Sequence, residues 1–103
     1  MARPYSEKFL LELSSSTADT IGVQLARLCI KANLPATYVA VALETTRTTV
    51  YSWFRGQGIR EEKRRTVETF IRLVQEDLEK GVLPTKTMKE AKQYIERISG
   101  LAI

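Results

Sequence analysis

The chain has 103 residues, of which 44 % are hydrophobic and 27 % are charged, a balance typical of a globular protein rather than of a disordered tail. A single cysteine excludes an intramolecular disulfide, and the lack of histidine removes the commonest general base and the commonest metal ligand together. The net charge is +4, and no apolar run approaches the length of a membrane span. We therefore expect a protein that is not an enzyme, needs no metal or cofactor, and works in the cytoplasm, that of the host cell if the protein is viral.

The N-terminal segment predicts a short amphipathic helix over residues 5–13, with Ser6 as its N-cap. The run of hydroxyl residues from Ser14 to Thr17 then indicates a break. Ser16 and Asp19 resemble a capping box in which Asp takes the place of Glu. Residues 1–17 are thus expected to form a short helix and a linker.

Apolar residues recur at spacings of three and four over residues 18–32, which predicts a second amphipathic helix. Because Cys29 lies on this apolar stripe, it is interpreted as a small core residue rather than a nucleophile. Asn33 can end the helix in a left-handed turn, and Pro35 restarts the chain. The stripe consists of Ile21, Leu25, Leu28, Cys29 and Ala32.

Two short helices follow, one over residues 36–43 and one from Thr46 to about Phe54. The first is rich in small apolar residues, so it can approach its neighbours closely. Glu44 and Thr45 form the turn between the two helices, and Thr46 is a good N-cap for the second. Two short helices joined by a tight turn are typical of a helix-turn-helix motif.

A long amphipathic helix is predicted from Glu61 to Lys80, with Gly81 at its C-terminal cap. A last helix begins near Thr87, where Thr87 and Glu90 match a capping box. Its predicted buried stripe is Met88, Ala91, Ile95 and Ile98.

The C-terminal part of the chain, residues 81–103, has two interpretations. Its apolar stripe either completes the core of the monomer or forms a two-fold interface, to which the apolar tail from Leu101 to Ile103 can contribute. We expect a homodimer, because helix-turn-helix proteins commonly pair to read two half-sites. Three tyrosines are expected at the edge of the core rather than on a stacking platform, namely Tyr5, Tyr38 and Tyr94.

The excess positive charge lies in one stretch of the chain. Residues 47–72 hold seven basic and three acidic side chains, whereas basic and acidic side chains balance before and after this stretch. A local basic field of this kind attracts a polyanion, although a solvated helix face would produce the same pattern.

The helix predicted from Thr46 to about Phe54 indicates which polyanion that field could meet. Val50 and Trp53 are predicted to point inward against Leu28, Val39 and Ala40. The side chains left to point outward carry hydrogen-bonding groups and no acid, as a helix in the major groove of DNA requires. They are Arg47, Thr48, Thr49, Tyr51, Ser52 and Arg55.

A pattern of apolar, small and capping residues runs through both short helices. It consists of Leu34, Pro35, Val39, Ala40, Leu43, Thr46, Val50, Trp53, Phe54 and Gly56. Over about residues 20–65 it resembles the lambda-repressor/Cro-like helix-turn-helix family. The resemblance implies an all-α helix-turn-helix bundle of about five helices with one or two extra C-terminal helices, and a DNA-binding domain over residues 18–80. It also implies a repressor-like transcriptional regulator, of a phage or a prokaryote, that binds a specific double-stranded DNA sequence.

Residue roles follow from the same resemblance, which places a recognition helix at about residues 46–55. An arginine that pairs with guanine through two hydrogen bonds contributes ~1–3 kcal/mol of discrimination, and Arg47 is the candidate for that contact. The residues placed to read bases are Arg47, Thr48, Tyr51 and Ser52. The residues assigned to phosphate are Thr46, Thr49, Arg55, Arg60, Lys63 and Arg64.

The chain departs from the family pattern in three places. Ala36 stands where the family has a glutamine that donates to phosphate. Glu44 replaces the usual turn glycine, which costs on the order of 1 kcal/mol if the backbone there has positive φ. Phe54 and Cys29 replace an ion pair by apolar side chains, a joint exchange that is often neutral or stabilising.

Two further interpretations stay open. One is a protein-interaction module that binds an acidic partner such as an RNA polymerase subunit, which Glu44 and Ala36 favour slightly. The other is an accessory protein of DNA packaging or recombination that uses the same motif within a larger complex.

Overall fold

The structure, a computed structural model, describes residues 5–15 and 20–99. Within these ranges the chain forms six α-helices and no strand, which confirms the predicted all-α fold. The helices are α1 Glu7–Ser15, α2 Ile21–Ala32, α3 Ala36–Ala42, α4 Arg47–Phe54, α5 Glu61–Glu79 and α6 Met88–Ser99. None of these six helices combines the length and the apolar character that crossing a membrane requires.

Helix α1 begins as predicted and ends later. The Ser6 hydroxyl accepts a hydrogen bond from the Phe9 amide at 3.2 Å, which confirms Ser6 as the N-cap. The break predicted at Ser14 is wrong, because Ser14 and Ser15 are helical and both hydroxyls donate to the Leu11 carbonyl at 3.0 Å. The capping box of residues 16–19 lies outside the described residues.

Helix α2 runs through the centre of the molecule and contacts both α4 and α5. It begins at Ile21 rather than at residue 18, and Thr20 caps it by accepting from the Val23 amide at 3.2 Å. Because α2 has neighbours on several sides, its buried face is wider than the predicted stripe and includes Val23 and Ala26. Asn33 ends the helix with φ 60°, as predicted.

The end of α2 is tied to the loop before α6. The Asn33 side-chain amide donates to the Thr85 carbonyl at 2.8 Å, and the Thr85 hydroxyl donates to the Asn33 carbonyl at 2.9 Å. The Thr85 amide also donates to the Ala32 carbonyl at 3.1 Å. These bonds satisfy polar groups at a buried crossing and fix where α6 starts.

Helix α6 packs on α3 and completes the core of the monomer within the described residues. Its capping box is confirmed, since the Glu90 amide donates to the Thr87 hydroxyl at 3.1 Å and the Thr87 amide donates to the Glu90 carboxylate at 3.2 Å. Ala91 and Ile95 are buried, but the prediction for Met88 is wrong. Met88 is 46 % exposed because it opens the first turn, before the helix reaches its neighbour. The apolar tail after residue 99 lies outside the described residues.

Two of the three tyrosines expected at the edge of the core are fully inside it. The Tyr5 hydroxyl donates to the Leu34 carbonyl at 2.6 Å, and the Tyr94 hydroxyl donates to the Asp77 carboxylate at 2.5 Å. Each ring can be buried because its hydroxyl has a partner. Burial raises the pKa of both phenols above the ordinary value.

Candidate nucleic-acid interface

The turn between α3 and α4 adopts the backbone conformation that its position demands. Glu44 has φ 53°, so a non-glycine residue occupies the left-handed region there. The Thr46 hydroxyl then accepts from the Thr49 amide at 3.1 Å, which confirms Thr46 as the N-cap of α4. The turn and the cap thus fix where α4 begins and which direction it takes, despite the backbone strain at Glu44.

Lys63 of α5 holds this turn in place. Its ammonium donates to the carbonyls of Leu43 at 2.7 Å and Glu44 at 3.0 Å, at the C-terminal end of α3. A cation at a helix C-terminus is favourable because it meets unpaired carbonyls and the negative end of the helix dipole. Lys63, which the sequence assigned to phosphate, therefore has two of its three donors engaged within the chain.

The inner side of α4 is anchored in the core. Val50, Trp53 and Phe54 are buried, and α4 packs against α2 and α3. The contact with α2 is a contact of backbones, since a Cβ built on Gly22 would lie 2.1 Å from the Trp53 carbonyl oxygen. Sequence reasoning missed Gly22, although an isolated glycine inside a helical pattern often marks such a close approach.

The outer side of α4 is partly open. Arg47, Thr48 and Arg55 are exposed, and Thr49 and Ser52 are half-buried. Some of the hydroxyls already have partners within the helix. Thr46 donates to the Thr49 hydroxyl at 2.9 Å, and Ser52 donates to the Thr48 carbonyl at 3.2 Å. Arg47 and the C-cap residue Arg55 are thus exposed cationic donors at the two ends of this helix.

Tyr51 does not point freely outward, which corrects the prediction for this residue. Its half-buried ring packs edge-on against Phe9 of α1, with 5.5 Å between the ring centroids, and against Phe54, with 5.7 Å. Tyr5 lies 6.3 Å from the same ring and completes a cluster of four rings. The prediction failed here because it treated α4 without α1, which docks along the Tyr51 side.

Helices α1 and α4 border an open groove with a volume of about 620 Å³. The described side chains that line it include three cations and one carboxylate, so its balance is positive. It is lined by Ser6, Lys8, Phe9, Glu12, Arg47, Thr48, Tyr51, Ser52 and Arg55. All four residues predicted to read bases therefore meet in one place, together with Arg55.

The other residues assigned to phosphate do not line this groove. Thr46 and Thr49 lie at the start of α4, and Arg60, Lys63 and Arg64 lie at the start of α5. Arg60 and Arg64 are exposed there. The Arg64 guanidinium pairs with the Glu68 carboxylate at 3.0 Å, one turn further along the helix. Such an exposed pair contributes little to stability and can yield to a phosphate.

Cys29, the candidate nucleophile that the sequence argued against, is fully buried in α2. Burial raises the pKa of its thiol, which disfavours the reactive thiolate. Among the residues that the structure describes, no three carboxylate or thiol side chains converge in a way that could hold a metal ion.

No protein-family model, no curated protein and no solved structure matches this chain. The resemblance to the lambda-repressor/Cro-like family consequently depends on the residues of the helix-turn-helix segment alone.

Proposed function

We propose that the protein is a sequence-specific transcriptional regulator that binds double-stranded DNA through α4. One observation carries the proposal. The helix is anchored by Val50 and Trp53 on one side, while Arg47, Thr48 and Arg55 stand exposed on the other. No residue of α4 is acidic, so nothing on this helix would repel the phosphates that flank a major groove.

The start of α5 supports the same function. Arg60 and Arg64 are exposed beyond the C-terminal end of α4, where they can contact the DNA backbone. Contacts with phosphate supply affinity that depends on salt but carry no sequence information. Sequence choice would fall to α4, with Arg47 as the candidate for a paired contact with guanine.

The repressor-like role and the homodimer are part of this proposal and are supported by the family resemblance. Dimers of this type read two half-sites about one DNA turn apart, which makes their binding sites close to palindromic. The oligomeric state is measured by sedimentation at micromolar concentrations, with and without a selected site.

The first experiment is a fluorescence-anisotropy titration of a labelled mixed-sequence duplex at two salt concentrations. We expect binding that weakens steeply with salt, because each phosphate contact releases a counterion. Selection of bound sequences from a random duplex pool should then converge on one motif. A protein that ignores duplex DNA even at low ionic strength would contradict the proposal.

Two arginine variants separate specificity from affinity. Arg47→Ala should weaken binding to the selected motif far more than to random duplex, by about 5- to 150-fold if a paired guanine contact is lost. Arg64→Ala should weaken binding to all sequences equally and reduce the salt slope by about one. Lys89→Ala, which removes an exposed cation from α6, is the control and should change neither quantity.

A second candidate function is recognition of an acidic protein partner. The observation that favours it is the groove between α1 and α4, whose lining holds three cations and one carboxylate and would suit an acidic segment of a polypeptide. Binding of a poly-glutamate peptide together with indifference to duplex DNA would select this function over the first.

A further inference from the structure

The two exposed arginines of the outer side of α4 converge on one ring. The guanidinium carbon of Arg47 lies 5.7 Å from the centroid of the Tyr51 ring, and that of Arg55 lies 5.8 Å from it. The three residues are spaced four apart, so they form a single stripe along the helix. A guanidinium within about 6 Å of an aromatic face is attracted by the quadrupole of the ring.

The Tyr51 ring is itself fixed by α1. Its plane is nearly perpendicular to those of Phe9, at 89°, and Phe54, at 78°. This is the edge-to-face arrangement that aromatic rings prefer. Phe9 and Phe54 are buried, and Leu13 anchors the following turn of α1 in the same core. The ring is therefore packed against Phe9 and Phe54 and also lies within cation–π distance of both arginines.

We propose that Tyr51 is a positioning residue that orients Arg47 and Arg55 toward DNA, and that α1 belongs to the DNA-binding unit because it braces this ring. The inference rests on the proposed function and deepens it. A free arginine side chain loses much rotamer freedom on binding, whereas one already held over a ring loses less. Tyr51 thus acts through its neighbours and does not read a base.

A double-mutant cycle tests whether Tyr51 affects DNA binding through Arg47 and Arg55. Tyr51→Leu should weaken binding of the selected duplex about five-fold in the wild-type background, because the two arginines then have to be ordered at the moment of binding. In an Arg47→Met, Arg55→Met background the same substitution should change the affinity less than about two-fold, because the residues it acts through are gone. Tyr51→Phe keeps the ring and should bind as wild type. Equal losses from Tyr51→Leu in the two backgrounds overturn the proposal.

Phe9→Leu tests the contribution of α1. It should weaken DNA binding in the same direction as Tyr51→Leu and should add little to that substitution when the two are combined. Leu11→Ala is the matched control on α1, because Leu11 is 68 % exposed and lies outside the ring cluster. A Phe9→Leu variant that binds as wild type would separate α1 from the DNA-binding unit.

A measurement on the wild-type protein covers the case in which Tyr51→Leu fails to fold. Protons of a side chain held over an aromatic face are shifted upfield in NMR spectra, so the side chains of Arg47 and Arg55 should show such shifts and that of Arg60 should not. Unshifted arginine signals overturn the positioning role. If the wild-type protein fails to bind duplex DNA, both the proposed function and this inference are wrong. If it binds but Tyr51→Leu causes the same loss with and without the two arginines, only this inference is wrong.

Discussion

Replacing Gly22 with alanine probes the contact that seats α4 against α2. The added methyl carbon would lie 2.1 Å from the Trp53 carbonyl oxygen and 2.7 Å from the carbonyl carbon. Both atoms belong to the backbone, so no side-chain rotation can make room. The C-terminal end of α4 has to move away from α2, and it carries Trp53 out of its site in the core.

Two opposing effects set the size of the change. Alanine is favoured over glycine in a helix interior by about 1 kcal/mol, whereas overpacking a core costs about 1–3 kcal/mol and sometimes more. Because the overlap is severe and involves backbone, we place the overpacking cost at about 3 kcal/mol or above. The net loss is then about 2 kcal/mol, which corresponds to a fall in Tm of about 10 °C for a chain of this length.

The assay is thermal and urea unfolding followed by circular dichroism, with Gly58→Ala as the matched control. A Cβ at Gly58 meets nothing within 4 Å, so that variant should unfold at or slightly above the wild-type midpoint. Gly22→Ala should also weaken DNA binding, because α4 is displaced. A Gly22→Ala protein as stable as wild type would show that α2 and α4 do not approach each other as closely as described.

Three further perturbations test separate parts of the structure. Lys63→Met removes the bonds to the turn before α4 and should destabilise by about 1 kcal/mol, since the group is half-exposed, whereas Lys63→Arg should lose less in the same urea titration. Asn33→Ala should lower the free energy of unfolding by about 2 kcal/mol, because alanine tolerates the left-handed φ poorly and cannot donate to Thr85. Asn33→Gly should recover about half of that loss, because glycine tolerates the φ but does not restore the hydrogen bond. Burial raises the pKa of Tyr5 and Tyr94, so above pH 10.0, the ordinary value for tyrosine, the unfolded chain releases protons that the folded chain keeps. Burial also raises the pKa of the Cys29 thiol above its ordinary value of 9.0, so the first loss of stability begins there. Stability should hold below about pH 9 and fall as the pH rises beyond it, and an unchanged urea midpoint between about pH 8 and pH 11 would contradict this assignment.

Features decided within one turn of helix were predictable from the sequence. Thr46 caps α4, Thr87 and Glu90 form their capping box, and Asn33 takes the left-handed conformation, all as predicted. Each of these depends on residues no more than four positions apart, so a single sequence contains the information. The inward positions of α4 were predictable for the same reason, because helical spacing alone places Val50 beside Trp53.

Features decided by a distant partner were not predictable in this way. Lys63 was assigned to phosphate from the family resemblance, yet its position is set by carbonyls about twenty residues earlier in the chain. Gly22 was passed over because its requirement is imposed by the backbone of α4. In both cases the residue type was informative, but the group that the residue contacts is known only from the packing of the helices.

Tyr51 shows how the same limit affects the candidate site. Viewed on α4 alone, it borders the inward stripe and can be assigned to either side. Its placement depends on Phe9, more than forty residues away in the sequence, and no local pattern connects the two. Once α1 is docked, the outer side of α4 divides into two groups: Arg47, Thr48 and Arg55 remain available to a partner, while Tyr51 supports the arginines. The surface that we propose for DNA is therefore built by α1 and α4 together, and a helix-turn-helix segment excised from the chain would keep the arginines but lose the ring cluster that orients them.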